Sequence, residues 1–168
     1  MTVDEAAALI ADPRIDGTTW ADLGCGDGTF TRALATLLPP GGVIHAMDRD
    51  RRALAGIPRS SSGTSIVTHT GDFTEFPWPF AGLDGVLLAN ALHYVRDQAA
   101  FVRRLRGWMK PDATIVLVEY DTDRPNPPWV PYPVPFSLPG KVRWLRCFVV
   151  RPTGVRVNDP PIDEMKVS

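Results

Sequence analysis

The sequence has few of the features that assign a chain to a specialised class of protein. Its two cysteines, Cys25 and Cys147, are too few for a disulfide framework or a metal cluster. No apolar run approaches the roughly 18 residues of a membrane span. The N-terminus lacks the basic start and apolar stretch of a secretory signal. We therefore expect a soluble, cytoplasmic protein without a bound metal and without a membrane partner.

An excess of charge of one sign is also absent. The chain has 18 Lys and Arg residues against 19 Asp and Glu residues, which gives a net charge of -1. A near-neutral surface lacks the bulk attraction that brings most nucleic-acid binders to their ligand. The basic residues at 103, 104, 106 and 110 have the pattern of a solvated helix face. We therefore expect no nucleic-acid partner.

The 17 prolines divide the chain into two parts. The length of 168 residues is typical of one domain, and ten of the prolines follow residue 120. Because proline removes a backbone donor and fixes φ, residues 124–139 cannot form a long helix or an inner strand. We predict an ordered α/β core over residues 1–121. Residues 122–168 are predicted to form a Pro-rich irregular tail, with a possible strand or hairpin over 141–157.

Within the core, short apolar runs alternate with helical patterns. The predicted strands are Thr18–Leu23, Val43–Asp48, Ser65–His69, Asp84–Ala89 and Thr114–Glu119. Helices are predicted from Thr2 to Ala11 with a capping box, over Gly28–Leu38 and Asp50–Ile57, and from Asp97 until Pro111 stops the last one. Strands that are apolar throughout and alternate with helices indicate a mostly parallel, doubly wound sheet with helices on both faces. Ligands of such sheets bind at the carboxyl ends of the strands.

The first predicted strand runs into a glycine-rich loop, Gly24–Gly28, with glycine at alternate positions. A dinucleotide fingerprint would place its third glycine where Thr29 stands, and a phosphate-binding P-loop would need a lysine that is absent. Asp22 and Asp27 instead place negative charge beside the turn. The loop therefore favours a ligand with a cationic part, the alternative being a glycine turn that binds nothing.

Polar residues follow three more of the predicted strands. Asp48 lies where an acidic residue accepts hydrogen bonds from ribose hydroxyls, although a solvated aspartate is the simpler explanation. Asp72 could accept from an adenine amino group, and Phe73 could lie against a ring. Asn90 is placed at the mouth of the sheet. His93 could act as a base, although a lone histidine is more often a packing or surface residue.

Together these segments resemble the class I S-adenosylmethionine-dependent methyltransferases. Asp22–Phe30 (DLGCGDGTF) is similar to motif I of that family, and Asp48 matches the acidic residue that closes its second strand. The segments Gly71–Phe73 and Leu87–His93 resemble the adenine-binding segment and the motif after strand four. Residues 105–119 resemble the following helix, turn and fifth strand. The likeness extends over roughly residues 15–121.

The resemblance implies a Rossmann-like fold and a methyltransferase that acts on a small-molecule acceptor with S-adenosylmethionine as cofactor and S-adenosylhomocysteine as product. The expected cofactor-binding residues are Asp22, Gly24, Cys25, Gly26, Asp48, Arg49, Asp72, Phe73 and Asn90. The expected catalytic residues are His93 and Tyr94, and we expect Trp129 near the reacting sulfur as well. Two alternatives stay open, namely a cofactor-binding module with little or no activity and a nicotinamide-dependent enzyme.

The C-terminal part departs from the family pattern. The family usually adds a helix and a β-hairpin after strand five, whereas the tail here has no convincing amphipathic helix. Either the tail is a variant closure of the sheet, or it leaves a sheet edge uncovered. Because an uncovered edge invites pairing with another chain, we predict a homodimer formed through the sheet edge or the tail.

Overall fold

Alternating apolar strands and amphipathic helices produce a single sheet with helices on both faces. The computed structural model describes residues 1–120, Thr122, residues 124–134 and, for its backbone, the strand Leu145–Val150. The helices are α1 (Val3–Ile10), α2 (Thr29–Leu37), α3 (Arg51–Ala55) and α4 (Gln98–Leu105). The strands are β1 (Thr19–Leu23), β2 (Val43–Asp48), β3 (Ser60–Ser61), β4 (Thr64–Thr70), β5 (Leu83–Ala89), β6 (Met109–Tyr120) and β7 (Leu145–Val150).

Within these residues the sheet has seven strands in the order β3-β4-β2-β1-β5-β6-β7. The pairs from β4 to β6 are parallel, whereas β3 and β7 are antiparallel edge strands. The strand order reverses between β1 and β5, because β1 lies between β2 and β5. Open α/β sheets bind their ligands at such a switch point. The predicted doubly wound fold with helices on both faces is confirmed.

The alternation of side chains along the strands separates two large cores. One cluster joins Trp20 and Leu87 to α1 and α2, and the other joins Leu88 and Ile115 to Phe101 of α4. Neighbouring residues of one strand point to opposite faces, so Leu87 and Leu88 belong to different clusters. Both faces of β5 are therefore covered by helices.

Local signals fix several element boundaries. The predicted capping box is present, since the Thr2 amide donates to Glu5 Oε2 at 2.8 Å and the Glu5 amide donates to Thr2 Oγ1 at 3.2 Å. Asp97 caps α4 as predicted, by accepting from the amide of Ala100 at 2.8 Å. Phe101 and Leu105 of that helix are buried. Helix starts were thus predictable from the capping residues.

Two expectations about elements were wrong. Pro111 does not stop α4, because this helix already ends at Leu105. A short 3-10 turn over Arg106–Trp108 follows it. Instead Pro111 lies in β6, in a bulge between the pairs Leu83–Met109 and Gly85–Thr114. A bulge leaves residues out of the hydrogen-bond ladder, so the missing proline amide costs no inter-strand bond.

The second error is that the sequence patterns gave no prediction for the short strand β3 or for the hairpin that joins it to β4. Its two-residue loop consists of Ser62 and Gly63, with φ of 50° and 78°. Two consecutive positive φ values are typical of the tight turn that matches the twist of a hairpin. Ser-Gly was the available sequence signal.

The strand β7 occupies the edge for which the sequence left two possibilities, closure by the tail or an uncovered edge. Its residues pair antiparallel with β6 from Ile115–Val150 to Tyr120–Leu145. Of the strand or hairpin predicted over 141–157, one strand is present over 145–150, and the remaining residues lie outside the described ones. Since β6 is paired, that edge is not open to another chain, and dimerisation stays a prediction.

No helix in the described ranges is long and apolar enough to cross a membrane.

The close approach of β5 to Trp20 gives a test of the core. A Cβ at Gly85 would overlap the six-membered ring of Trp20, which is fully buried and donates from Nε1 to the Asp16 carbonyl at 2.8 Å. We expect Gly85→Ala to lower the free energy of unfolding by about 1–3 kcal/mol or more, because the anchored ring cannot withdraw. Urea denaturation measures this value. Gly107→Ala is the matched control, since a Cβ there meets no described atom within 4 Å. Equal stability of the two variants would contradict this packing.

A pair of half-buried histidines makes the stability of the fold sensitive to acid. Nδ1 of His45 lies 3.0 Å from Nε2 of His69, and Phe80 stacks on His45 with ring centroids 4.5 Å apart. The pKa of His45 is lowered from 6.5 by burial and by His69, and the pKa of His69 is lowered by burial. Because the unfolded chain then binds more protons at these two histidines than the folded chain does, their contribution to stability is full above about pH 6.5 and falls below it.

We expect His69→Gln to reduce this acid loss of stability, as measured by urea unfolding at a series of pH values. The two proteins should have parallel stability curves above pH 6.5. An unchanged slope below that pH would contradict the assignment.

Candidate functional site

The carboxyl ends of the parallel strands enclose one cleft. It has a volume of about 340 Å³. Its lining comes from the segments that follow β1, β2, β4 and β5, and consists of Gly24, Asp48, Arg49, Gly71, Asp72, Phe73, Thr74, Asn90, Ala91 and Tyr94. The cleft therefore lies at the carboxyl ends of the strands, where we predicted the ligand, and at the switch point of the strand order.

The loop after β1 forms one wall. The amides of Gly24 and Cys25 both donate to the Met47 carbonyl, at 2.8 and 3.1 Å, which ties the loop to the end of β2. Gly24 has a φ of 75°, and a Cβ there would lie 2.8 Å from the Cβ of Ala91, so only glycine allows the two loops to approach. A Cβ at Gly26 would meet nothing within 4 Å among the described atoms. The backbone at this position is therefore accessible to a ligand.

Asp48 joins this loop to the cleft. Its Oδ2 accepts from the Gly26 amide at 2.9 Å, and its Oδ1 accepts from the Asp50 amide at 2.8 Å. These two bonds fix the orientation of the carboxylate. Because each carboxylate oxygen can accept two hydrogen bonds, both oxygens keep capacity for a ligand donor. A vicinal diol supplies two such donors.

The segment after β4 forms the opposite wall. The Gly71 amide donates to the Asp48 carbonyl at 3.0 Å. Asp72 Oδ1 accepts from the amide and the hydroxyl of Thr74, at 2.8 and 2.7 Å, which holds the carboxylate in a tight turn. The ring of Phe73 meets Phe101 edge-on at 5.6 Å. This wall therefore offers an oriented acceptor and an aromatic ring side by side.

Asn90 follows β5 in a strained conformation. Its φ is 53°, a left-handed value that asparagine tolerates better than other non-glycine residues. Its amide donates to the Val118 carbonyl at 2.7 Å, and its Oδ1 is buried without a hydrogen-bond partner among the described residues. A buried acceptor without a partner costs about 1–3 kcal/mol, so a ligand donor would recover this energy.

Asp22 lies beneath the glycine loop and does not line the cleft. It is fully buried, and its Oδ2 accepts from the Thr31 hydroxyl at 2.6 Å. Burial raises its pKa to about 7, against the effect of the Thr31 hydrogen bond and with a smaller contribution from Asp48. Its Oδ1 has no partner in the described part of the chain. Near neutral pH a small change in the surroundings of Asp22 therefore decides whether its carboxyl group is protonated or ionised.

The side chain of Cys25 also lies outside the cleft. It packs in an apolar cluster with Leu54 of α3 and Ile66 of β4. Burial is the main cause that raises the pKa of the thiol, followed by the negative charge of Asp22. Only the backbone of Cys25 remains available for a ligand.

Behind the cleft wall, His93 forms a buried pair with Glu119. Its Nδ1 lies 2.6 Å from Glu119 Oε2, and its amide donates to Oε1 at 3.2 Å. Both residues are about 1% exposed. We predicted His93 but missed Glu119, although this glutamate ends the predicted fifth strand and the rule of reading strand ends would have found it.

The structure thus brings most of the predicted site residues to one place. Gly24, Asp48, Arg49, Asp72, Phe73, Asn90 and Tyr94 line the cleft, and Gly26 reaches it through Asp48. Asp22, Cys25 and His93 lie behind its walls. Trp129 is 70% exposed and is not a lining residue. Within the described residues no group of three or more His, Cys, Asp or Glu side chains could hold a metal ion.

The buried carboxyl group gives a test of the electrostatics of this site. In the unfolded chain Asp22 ionises at its ordinary pKa of 3.8, whereas in the folded protein its pKa is about 7. The folded state therefore holds a proton that the unfolded state releases, and the contribution of Asp22 to stability is lost as the pH rises from about 4 to about 7. We expect Asp22→Asn to remove this loss in urea unfolding of the ligand-free protein, because the amide does not titrate.

Asp27→Asn is the control on the same loop. Hydrogen bonds from Thr29 lower the pKa of the exposed Asp27, so its contribution to stability is lost as the pH falls. The two variants should thus alter the pH dependence in opposite directions. An Asp22→Asn curve parallel to that of the wild type would show that Asp22 ionises normally.

Known proteins resemble the chain in the same region. A family model described as a methyltransferase domain matches residues 21–112, more than half of the chain. An uncharacterized methyltransferase of Mycobacterium tuberculosis is 31% identical over 101 residues, which cover 60% of this chain and 50% of that protein. The demethylmenaquinone methyltransferase of Staphylococcus aureus is 27% identical over 113 residues, which cover 67% and 46%. The chain spans about half the length of these curated relatives.

A solved structure agrees with the fold. The S-adenosylmethionine-dependent methyltransferase from Mesorhizobium loti aligns with a TM-score of 0.57 and 27% identity, over 70% of this chain and 56% of that one. The matched family region begins inside β1 and ends in β6, so it contains all four segments that line the cleft. The chain therefore belongs to the class I S-adenosylmethionine-dependent methyltransferases.

Proposed function

We propose that this chain binds S-adenosylmethionine in the cleft and transfers its methyl group to a small-molecule acceptor. The observation that carries the proposal is the convergence of Gly24, Asp48, Asp72 and Asn90, from four strand ends, on one cleft. Family membership supports the same assignment.

The donor set fits the parts of this cofactor. The carboxylate of Asp48 would hold the ribose diol, and Asp72 with Phe73 would hold the adenine ring. The Gly26 backbone and the amides at the start of α2 would meet the methionine carboxylate, since a helix N-terminus favours an anion. The buried acceptor of Asn90 would accept a hydrogen bond from the bound molecule.

Asp22 contributes charge from beneath the loop. The cofactor carries an ammonium and a sulfonium group, and positive charge nearby favours the ionised form of a carboxyl group. The pKa of Asp22 is about 7 without ligand, so a bound cation would release its proton near neutral pH. In the empty site Asp22 can hold its proton, so no charge is buried there. When the cofactor is bound, the ionised Asp22 carboxylate stabilises the positively charged ligand.

When bound, the cofactor supplies an electrophilic methyl group on a sulfonium whose leaving thioether is neutral. The chain's own residues then have to orient the two reactants and exclude water. The turn Leu92–Tyr94 forms the rim, where Tyr94 is 46% exposed. We place the methyl acceptor at this rim because it borders the cleft and carries the predicted catalytic residues His93 and Tyr94.

The rim also suggests the type of acceptor. Three exposed aromatic residues lie in or next to it, namely Tyr94 itself, Tyr120, whose ring centroid is 6.0 Å from that of His93, and Tyr132. The Tyr132 amide donates to the His93 carbonyl at 3.1 Å, which attaches the segment after β6 to the rim. Aromatic side chains favour flat, partly apolar partners. A small aromatic acceptor therefore fits better than a peptide or a nucleic acid, and one relative is named for a quinone-type substrate, demethylmenaquinone.

We expect Asp48→Ala to weaken the binding of S-adenosylhomocysteine by about 10- to 100-fold, because hydrogen bonds to a charged group contribute about 1.5–3 kcal/mol. Isothermal titration calorimetry measures the dissociation constant. Asp50→Ala is the matched control. Asp50 is the N-cap residue of α3 and does not line the cleft, so this variant should bind like the wild type.

Absence of binding to the wild-type protein would overturn the proposal. Binding without methyl transfer to any of a broad panel of phenols, hydroquinones and amines would support the binding-module alternative.

A further inference from the structure

The His93–Glu119 pair is the most deeply buried polar contact near the rim. Glu119 uses both oxygens on one residue, with Oε2 on the ring Nδ1 at 2.6 Å and Oε1 on the backbone amide at 3.2 Å. The backbone bond already anchors the turn Leu92–Tyr94 to the end of β6. A purely structural link would thus be complete without the imidazole.

The contact with Glu119 selects the tautomer of a neutral ring. Because the oxygens of an ionised Glu119 carboxylate only accept, a neutral imidazole carries its proton on Nδ1 and keeps a free lone pair on Nε2. That Nε2 is buried and has no hydrogen-bond partner among the described residues. Buried polar atoms are nearly always paired, so an unpaired nitrogen beside an oriented carboxylate indicates a functional group.

The surroundings of the ring determine what can reach it. Tyr94 of the same turn lies 4.4 Å away between ring centroids, and Tyr120 of β6 lies 6.0 Å away. Glu119 is the charged group in contact, and Tyr132 contributes its backbone amide. Tyr94 is both in contact with the ring and exposed at the cleft, so it is the side chain whose movement would admit an acceptor.

We propose that Nε2 of His93 accepts the proton of the methyl acceptor, and that Glu119 is the positioning residue that holds the imidazole in the required tautomer. This inference rests on the proposed function. It also narrows the acceptor class. A neutral amine attacks through its lone pair before it loses a proton, whereas a phenol becomes a good nucleophile when a base removes its proton. The proposed acceptor is therefore a small aromatic molecule with a hydroxyl group.

The proton and charge balance is simple. The O–H bond of the acceptor breaks, its proton moves to Nε2, and its electron pair stays on oxygen to form the bond to the methyl carbon. The pair of the broken carbon–sulfur bond goes to sulfur, which becomes neutral. The positive charge thus passes from sulfonium to imidazolium, where the Glu119 carboxylate stabilises it.

The test uses the full chain saturated with S-adenosylhomocysteine and phenol as the probe. Nitrogen-15 NMR of the wild-type protein should show His93 protonated on Nδ1, and phenol should shift the Nε2 resonance upfield as it donates a hydrogen bond. In Glu119→Gln the ring should populate both tautomers, and the response to phenol should decrease. A Nε2 resonance that phenol does not move would overturn the proposal.

His93→Asn separates the catalytic role from the structural one. Its amide can still donate to Glu119, and its backbone amide is unchanged, but it has no basic nitrogen. We expect S-adenosylhomocysteine affinity to stay near that of the wild type, whereas kcat for phenol methylation falls by about 10²–10⁴-fold and the acid limb of its pH profile disappears. His45→Asn, on the distant strand β2, should keep the wild-type profile.

The experiments distinguish failure of the proposed function from failure of the role proposed for His93. Failure of the wild-type protein to bind S-adenosylhomocysteine would overturn the proposed function. Normal binding with a wild-type rate and pH profile in His93→Asn would overturn the role of His93 alone.

Discussion

The contact between the glycine loop and the end of β2 is the interaction on which the site depends. The Met47 carbonyl accepts two amides of that loop, and the Asp48 carboxylate accepts a third, from Gly26. These bonds fix the position of the glycine-loop backbone relative to the Asp48 carboxylate. Because the Gly71 amide also bonds to the Asp48 carbonyl, the segment after β4 is tied to the same point. Three of the four walls of the cleft therefore meet at Asp48.

The fourth wall is held by β6. Asn90 bonds through its amide to Val118, and His93 bonds through its amide and ring to Glu119. The antiparallel strand β7 in turn completes the pairing of β6 over these residues. The C-terminal part thus supports the rim where we place the acceptor, whereas the cofactor side depends on β1, β2 and β4. The family region contains the turn Leu92–Tyr94 but ends before most of β6, the strand that supports this turn.

Much of the site was predictable because strand ends in a parallel sheet share one edge. The positions of Gly24, Asp48 and Asn90 follow from that rule and from the apolar runs before them. Side-chain direction within a loop was not predictable, so Cys25 was expected at the cofactor and its thiol lies in the core instead. The bulge that accommodates Pro111 depends on the register of β5 and β6, which local patterns do not contain. Glu119 could have been singled out as a strand end, but its pairing with His93, 26 residues away, needed the fold to be found.

A crystal structure of the chain with S-adenosylhomocysteine would show whether one cleft at these strand ends holds the adenosyl group of the cofactor. We expect both ribose hydroxyls on the Asp48 carboxylate, the adenine beside Phe73 and the sulfur facing the rim at Tyr94. A bound molecule elsewhere on the chain, or one in the cleft without contact to Asp48, would contradict this expectation.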